Sequence, residues 1–228
     1  MPVEICGMVS HNTGTPLGFA PQDEFDLDAI IGFAQAQEAA GYDRVLIANN
    51  ATMPDPHTIA TFVAAHTTRL KFLIAHRPGF IAPTAAARML ATVDRLSQGR
   101  VGVHIIAGPS DKELEADGDF LTKDDRYTRA REYVGIMRRI WNSAEPIDHA
   151  GQFYRFNQAF APIKPFQSPA PPVFWAGTSD ASVEACGEVG DIFAMSGDSL
   201  ANIRAARDRA TVAAARHGRT LDFMMTVI

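Results

Sequence analysis

Short apolar runs alternate with longer stretches of helical spacing along almost the whole chain. Runs of strand length cover Val3–Val9, Arg44–Ala48, Leu70–His76, Val101–Ala107, Pro171–Ala176, Asp191–Met195 and Leu221–Ile228. Each is bounded by turn formers, which predicts strands. Between them, Leu27, Ile30, Ile31, Ala34 and Ala39 recur at helical spacing over Leu27–Ala40, and Gly41 stops the pattern. Further helices are predicted from Asp55-Pro56 to Ala65, and over Pro83–Leu96, Asp124–Trp141, Ala181–Val189 and Leu200–His217. His149–Phe156 reads as a small hairpin. Ser10–Asp23 and Asn49–Pro56 read as loops, Pro109–Lys123 as a long acidic loop, and Ala161–Pro172 as an extended proline-rich segment.

Regular alternation of strand and helix predicts a parallel sheet with helices packed outside it. Two α/β architectures fit: a doubly wound sheet and a (β/α)8 TIM barrel. No Gly-x-Gly-x-x-Gly follows the first strand, which weakens the dinucleotide-binding option. The strand count favours the barrel, read as one domain over residues 1–228. A barrel needs closure to remove its open edges. The expectation is therefore a barrel truncated within strand seven, with an eighth strand in a longer chain.

Composition narrows the function classes. The chain is 46% hydrophobic and 21% charged, with a net charge of −5. That is ordinary globular usage. The acidic balance and the absence of a basic run argue against nucleic acid as a partner. No apolar stretch reaches 18 residues, so no membrane span is expected, and residues 1–20 lack a signal-peptide pattern. A cytoplasmic location is the default. Cys6 and Cys186 have neither disulfide-framework nor metal spacing and read as small core residues. No metal site is expected, and the methionines read as core filler.

In a barrel, chemistry sits at the C-terminal ends of the strands. Those ends carry Ser10-His11, Asn49-Asn50, His76-Arg77, Ala107-Gly108, Ala176-Gly177-Thr178-Ser179 and Ser196-Gly197. The Gly177 junction stands out. Gly177 permits a tight turn or a close backbone approach. Thr178, Ser179 and Asp180 are helix N-cap types, and a helix N-terminus offers N–H groups and a positive dipole end to an anion such as phosphate.

Three stretches resemble the bacterial luciferase-like, flavin-dependent monooxygenases. They are Ala87–Arg100 leading into Val101–Gly108, Asp124-Asp125-Arg126-Tyr127, and Ala176-Gly177-Thr178-Ser179-Asp180-Ala181. Together with the order of segments, the resemblance covers nearly the whole chain from Val3 to Ile228, and it looks closest to the branch with alkanesulfonate monooxygenase, dimethylsulfone monooxygenase and the pyrimidine oxygenase. The resemblance implies a (β/α)8 barrel that uses FMN, as FMNH2, with O2 to oxygenate a small organic substrate. A separate NAD(P)H-dependent flavin reductase would supply the FMNH2, and a homo-oligomer is expected. It implies that Gly177, Thr178 and Ser179 hold the phosphate, with Arg126 and Tyr127 reaching the phosphate or ribityl chain. It also implies flavin roles for Asn49, Asn50, His104, Gly108 and Glu113, and a catalytic role in substrate or proton handling for His11. His76 with Arg77 forms a weaker second candidate.

Each assignment has a plainer competitor. Arg126 and Tyr127 could instead be a helix-start surface pair, Glu113 a solvated loop acid, His104 a satisfied interior histidine, and Asn49-Asn50 a turn. The sequence also departs from the sulfonate enzyme: Met53 stands for a Cys, Ser196 for a Trp, and strand seven lacks Arg and His. An anionic sulfonate needs cations to replace its hydration, so sulfonate cleavage is not expected. Two alternatives stay open: a deazaflavin (F420)-dependent oxidoreductase and a non-catalytic flavin-binding protein. A barrel lyase or isomerase would need a strand-end Lys or paired acids, and Lys71 and Lys164 are poorly placed for that.

Overall fold

The computed structural model describes residues 3–11, 25–108 and 110–226. Most of the predicted Ser10–Asp23 loop and the last residues of the predicted Leu221–Ile228 strand lie outside them. Seven strands form one parallel sheet: β1 (Cys6–Val9), β2 (Arg44–Ile47), β3 (Lys71–His76), β4 (Val101–Ile105), β7 (Val173–Ala176), β8 (Ile192–Met195) and β9 (Asp222–Met225). β5 (Ile147–Ala150) and β6 (Arg155–Ala159) pair separately as an antiparallel hairpin. The large sheet runs β1-β2-β3-β4-β7-β8-β9, following the chain without reversal. A doubly wound sheet reverses its order at a switch point. The monotonic order is that of a (β/α)8 barrel, with β1 and β9 at the two edges of the sheet.

The helices are α1 (Leu27–Ala39), α2 (Pro56–Ala65), α3 (Pro83–Leu96), α4 (Asp111–Ala116), α5 (Lys123–Asn142), α6 (Asp180–Val189) and α7 (Leu200–Arg216). Local chemistry sets their starts. Asp26, Asp55, Thr122, Ser179 and Ser199 are N-caps whose side chains accept first-turn N–H bonds. Pro56 and Pro83 occupy first-turn positions, where a missing N–H costs nothing.

The pleat sends alternate residues to two cores. Phe72, Ile74, Val103, Ile105, Val173, Trp175 and Phe193 are buried toward the helices. Trp175 donates its indole N–H to Ser182 on α6 at 3.1 Å, and Trp141 on α5 donates to the Ala87 carbonyl on α3 at 2.8 Å. The opposite set faces the barrel interior. Leu46, Leu73 and Gly102 share one register row, and Ala75, His104, Phe174, Ile192 and Asp222 share another. At the β1 edge, Gln37 on α1 accepts from the Met8 N–H at 3.1 Å and donates to the Met8 carbonyl at 3.0 Å, filling edge positions a strand would otherwise use.

The Ala87–Arg100 stretch turns out to build the fold. Asp94 is fully buried and accepts from the Phe166 and Gln167 N–H groups and the Gln167 amide at 2.7–2.9 Å. Arg100 donates to the carbonyls of Ala64, Leu70 and Ser97 and to the Thr67 hydroxyl, and its guanidinium lies 5.0 Å from the Phe72 ring centre.

Several boundaries differ from the sequence reading. The predicted acidic loop contains α4, because Ser110 accepts from the Glu113 N–H and Asp111 and Glu113 load its first turn with negative charge. The first strand begins at Cys6, not Val3, and β9 stops at Met225. Cys186 is buried as expected, whereas Cys6 is only half-buried. Among the described residues, no helix is long and apolar enough to cross a membrane, and no cluster of metal-ligating side chains occurs.

Candidate functional site

The C-terminal ends of β1, β2, β3, β4 and β7 lie at one end of the parallel sheet, and the predicted site residues near it divide into three groups. The first surrounds the β7–α6 junction. Gly177 has φ +117°, a region that favours glycine. A Cβ there would collide with the Tyr127 hydroxyl and lie 2.6 Å from Ser182 Oγ. Tyr127, on the first turns of α5, therefore reaches the junction itself, and its ring lies 6.3 Å from that of Trp175. Burial raises the Tyr127 phenol above its usual range, with the Ser182 hydroxyl acting in the other direction, so it stays protonated. Ser179 caps α6, accepting from the Ser182 N–H at 3.3 Å, and Thr178 is exposed beside it. Ser182 Oγ anchors the turn through the Ala176 and Gly177 carbonyls at 3.2 and 3.0 Å. Hydroxyls, a phenol and a helix N-terminus converge on one spot, a donor set that suits an anion.

Arg126 is buried next to Tyr127 but points elsewhere. It donates to the Leu121 carbonyl at 2.6 Å and to Asp111 at 2.9 Å. Its Nε is buried without a hydrogen-bond partner. The structure thus brings Tyr127, Gly177, Thr178 and Ser179 together and ties Arg126 to the start of α4.

The second group is a buried ion-pair cluster joining three loops. Arg77, 4% exposed, donates to the Asn49 carbonyl at 3.1 Å and pairs with Glu113, with Asp117 3.7 Å away. Glu113 also accepts from the Ala51 N–H at 2.8 Å. Its other oxygen, and two guanidinium nitrogens of Arg77, are buried without hydrogen-bond partners. The Asn49 side chain donates to the Ala75 carbonyl at 3.3 Å. Asn50 accepts from the Thr52 N–H and hydroxyl at 2.8 and 2.9 Å, the turn-forming role. Gly108 has φ +85°, and a Cβ there would lie 2.7 Å from the Leu114 side chain on α4. Its close approach is to that helix.

The third group faces the interior. His104 lies in register between Ala75 and Phe174, with a buried Nδ1 that has no partner. Burial pushes it down to about 4, so it is neutral near pH 7. His11, half-buried, lines a small cavity with Met8, Val9, Ile47, Met53 and Ile59.

The sequence reading missed one cluster altogether. His76 does not reach the strand-end face; its side chain turns to the helix layer and bonds to His57 and Tyr133. The alternation of β3 carried that signal, since His76 shares the parity of buried Phe72 and Ile74. The expected misplacement of Lys164 is observed, its ammonium donating to the Ile140 carbonyl at 2.8 Å.

A family described as luciferase-like monooxygenase matches residues 6–228. Similar solved structures include EDTA monooxygenase from Chelativorans sp. BNC1, 22% identical over 88% of this chain and 56% of that one, with a TM-score of 0.77. The oxygenating constituent of 3,6-diketocamphane monooxygenase from Pseudomonas putida, in complex with FMN, is 22% identical over 99% of this chain and 66% of that one, with a TM-score of 0.79. An F420-dependent secondary alcohol dehydrogenase, in complex with an F420-acetone adduct, is 19% identical over 99% of this chain and 68% of that one, with a TM-score of 0.82. At these identities the likeness is one of fold, and the chain spans between about half and two thirds of each neighbour's length.

Proposed function

The chain belongs to the luciferase-like monooxygenase family, and we propose that it is the flavin-binding part of a monooxygenase that takes reduced FMN and O2 to oxygenate a small organic substrate. One observation carries the reading: Tyr127 converges on Gly177 and the N-terminus of α6, a cluster of donors that would suit a phosphate. The residues present fit that group. The Thr178 and Ser179 hydroxyls and the first-turn N–H groups of α6 would hold the phosphate, and the Tyr127 phenol would donate to it. Arg126 adds positive charge from behind, held by Asp111 rather than free to form a bidentate clamp.

A bound flavin supplies the redox and oxygen chemistry, which no side chain can do alone. The chain's own residues would position it and exclude water. His104, neutral and short of a partner, would bond a polar edge of the ring, while Leu73 and Phe174 keep that side dry. Gly108 and Asn49, fixed by Leu114 and Ala75, would form the rim. Glu113 holds Arg77, so its part is to fix loops while its second oxygen stays available to a ligand. His11 would move a proton at the substrate, beside a small apolar cavity lined by Met8, Met53 and Ile59. A reductase delivering FMNH2 is the expected partner.

The F420-dependent neighbour supports a second reading, a hydride-transferring oxidoreductase on the same barrel. Equilibrium titration with FMN and with F420 in parallel separates the two. FMN binding at micromolar levels with weak F420 binding supports the monooxygenase; the reverse order supports the second reading, and binding of neither overturns both.

A further inference from the structure

A continuous hydrogen-bonded chain runs through the helix layer at the end of β3. Asp55 Oδ2, on the N-cap of α2, lies 3.3 Å from His57 Nδ1. His57 Nε2 lies 3.0 Å from His76 Nδ1, and His76 Nε2 lies 2.8 Å from the Tyr133 hydroxyl. That hydroxyl lies 2.9 Å from the Ile81 carbonyl oxygen. Both imidazoles are buried, while Asp55 is open to water, its side chain 54% exposed.

Counting donors and acceptors fixes the direction of each bond. A carbonyl only accepts, so Tyr133 spends its one proton on Ile81. It must then accept from His76 Nε2–H. With one proton, His76 offers Nδ1 as an acceptor, so His57 donates through Nε2–H. The Asp55 carboxylate also only accepts, so His57 needs a second N–H at Nδ1. The chain as it stands is complete only with one extra proton on the histidine pair, and with His76 singly protonated that proton is on His57.

Removing one proton leaves too few donors for every link. If His57 keeps Nδ1–H toward Asp55, its Nε2 accepts from His76 Nδ1–H, His76 Nε2 accepts from Tyr133, and Ile81 loses its donor. One proton leaves to solvent past Asp55, the His76 proton changes nitrogen, the Tyr133 hydroxyl rotates, and no other bond is made or broken.

We propose that Asp55, His57, His76 and Tyr133 form a proton-reversible latch on the 77–82 loop: protonated, Tyr133 holds the Ile81 carbonyl; deprotonated, the chain reverses and releases it. That loop starts with Arg77, which holds Glu113 and the Asn49 carbonyl at the strand ends, so His57 and Tyr133 are positioning residues for that face. The inference goes beyond the flavin reading and does not depend on it.

Between the two rings the groups facing the chain favour His57 as the site of that proton, and because burial outweighs Asp55 there, His57 is held below the usual imidazole range and the latch is protonated only on the acid side. Burial pushes His76 down to about 3, with His57 as the next cause in the same direction. On His57, burial acts downward and the Asp55 carboxylate upward. On the α5 side, Tyr133 is pushed up by burial and by Tyr154, with Arg129 opposing. No charged side chain of α1, α3 or β2 acts on either ring among the described residues.

The test is NMR of the chain without flavin, following imidazole nitrogens and the Ile81 carbonyl carbon against pH. The latch predicts one titration at His57, a neutral His76 that changes tautomer at the same midpoint, and an Ile81 carbonyl shift that moves with them. In Tyr133→Phe the Ile81 shift becomes independent of pH while His57 still titrates. If that variant does not fold, His57→Gln serves, since the Ile81 shift must then be flat. An Ile81 signal that is flat in the parent chain, or that titrates unchanged in either variant, overturns the proposal. Flavin affinity enters none of these readouts, so failure here is distinct from failure of the monooxygenase reading.

Discussion

Gly177 admits no side chain, for two separate reasons. Its φ of +117° is strained for any L-residue, and Tyr127 and Ser182 fill the space a Cβ would take. Gly177→Ala is therefore expected to cost about 1–3 kcal/mol, read as a lower urea midpoint, with FMN affinity lost as Tyr127 is displaced. An unchanged midpoint would contradict the packing described. Arg77 gives the second residue-scale prediction. Arg77→Met leaves the Glu113 carboxylate half-desolvated and unpaired, with an expected loss of about 3–5 kcal/mol. Adding Glu113→Gln should recover part of that loss, and a double-mutant cycle measures it. Residue identities made the Gly177 turn and the Ser179 helix cap legible in the sequence, because their chemistry is local. The Arg77–Glu113 pair was not legible, since a contact 36 positions apart leaves no trace in spacing. Asn50 shows the converse: its plain turn-forming role was visible in the residue types of the loop.

At the scale of elements, strand and helix order followed from periodicity, because each strand alternates or runs apolar and each helix carries a cap. α4 was hidden by its length. Six residues give fewer than two turns, too few for a period, and its acidic composition resembled a loop. The signal was the cap itself, Ser110 with Glu113 three residues on. Ser110→Ala is expected to cost about 1 kcal/mol. It should also raise hydrogen exchange in α4 selectively, because Leu114 ties that helix to Gly108 while the sheet is untouched. Uniform exchange across the chain would count against this. The packing of α6 on α7 rests on Gly187, where a Cβ would lie 2.7 Å from the Ala213 backbone carbon. The role of Gly187 depends on a neighbour 26 positions away, which spacing along the sequence does not show.

The molecule as a whole is a parallel sheet whose strand order makes it a barrel type, and its ionisable interior makes its stability sensitive to acid. His104 and His76 are buried neutral, held down to about 4 and about 3. In the unfolded chain each titrates near 6.5. Between those values the unfolded state binds more protons, so stability is full above pH 6.5 and falls as pH drops. The His104 contribution levels off near its folded value, after a loss of at most about 3 kcal/mol. His104→Gln should flatten the stability profile between pH 6.5 and 4, measured by urea unfolding at a series of pH values. A profile as steep as that of the parent would show that His104 is solvated.

The central claim is that the β7–α6 junction with Tyr127 holds a flavin phosphate. Parallel fluorescence titrations of the chain with FMN and riboflavin, repeated with Ser179→Ala and Tyr127→Phe, test it most directly. The two ligands differ only in the phosphate. The account predicts that FMN binds the parent at least tenfold more tightly than riboflavin, and that each variant narrows the gap by weakening FMN alone. Equal affinity for both ligands, or equal losses for both in the variants, would contradict it.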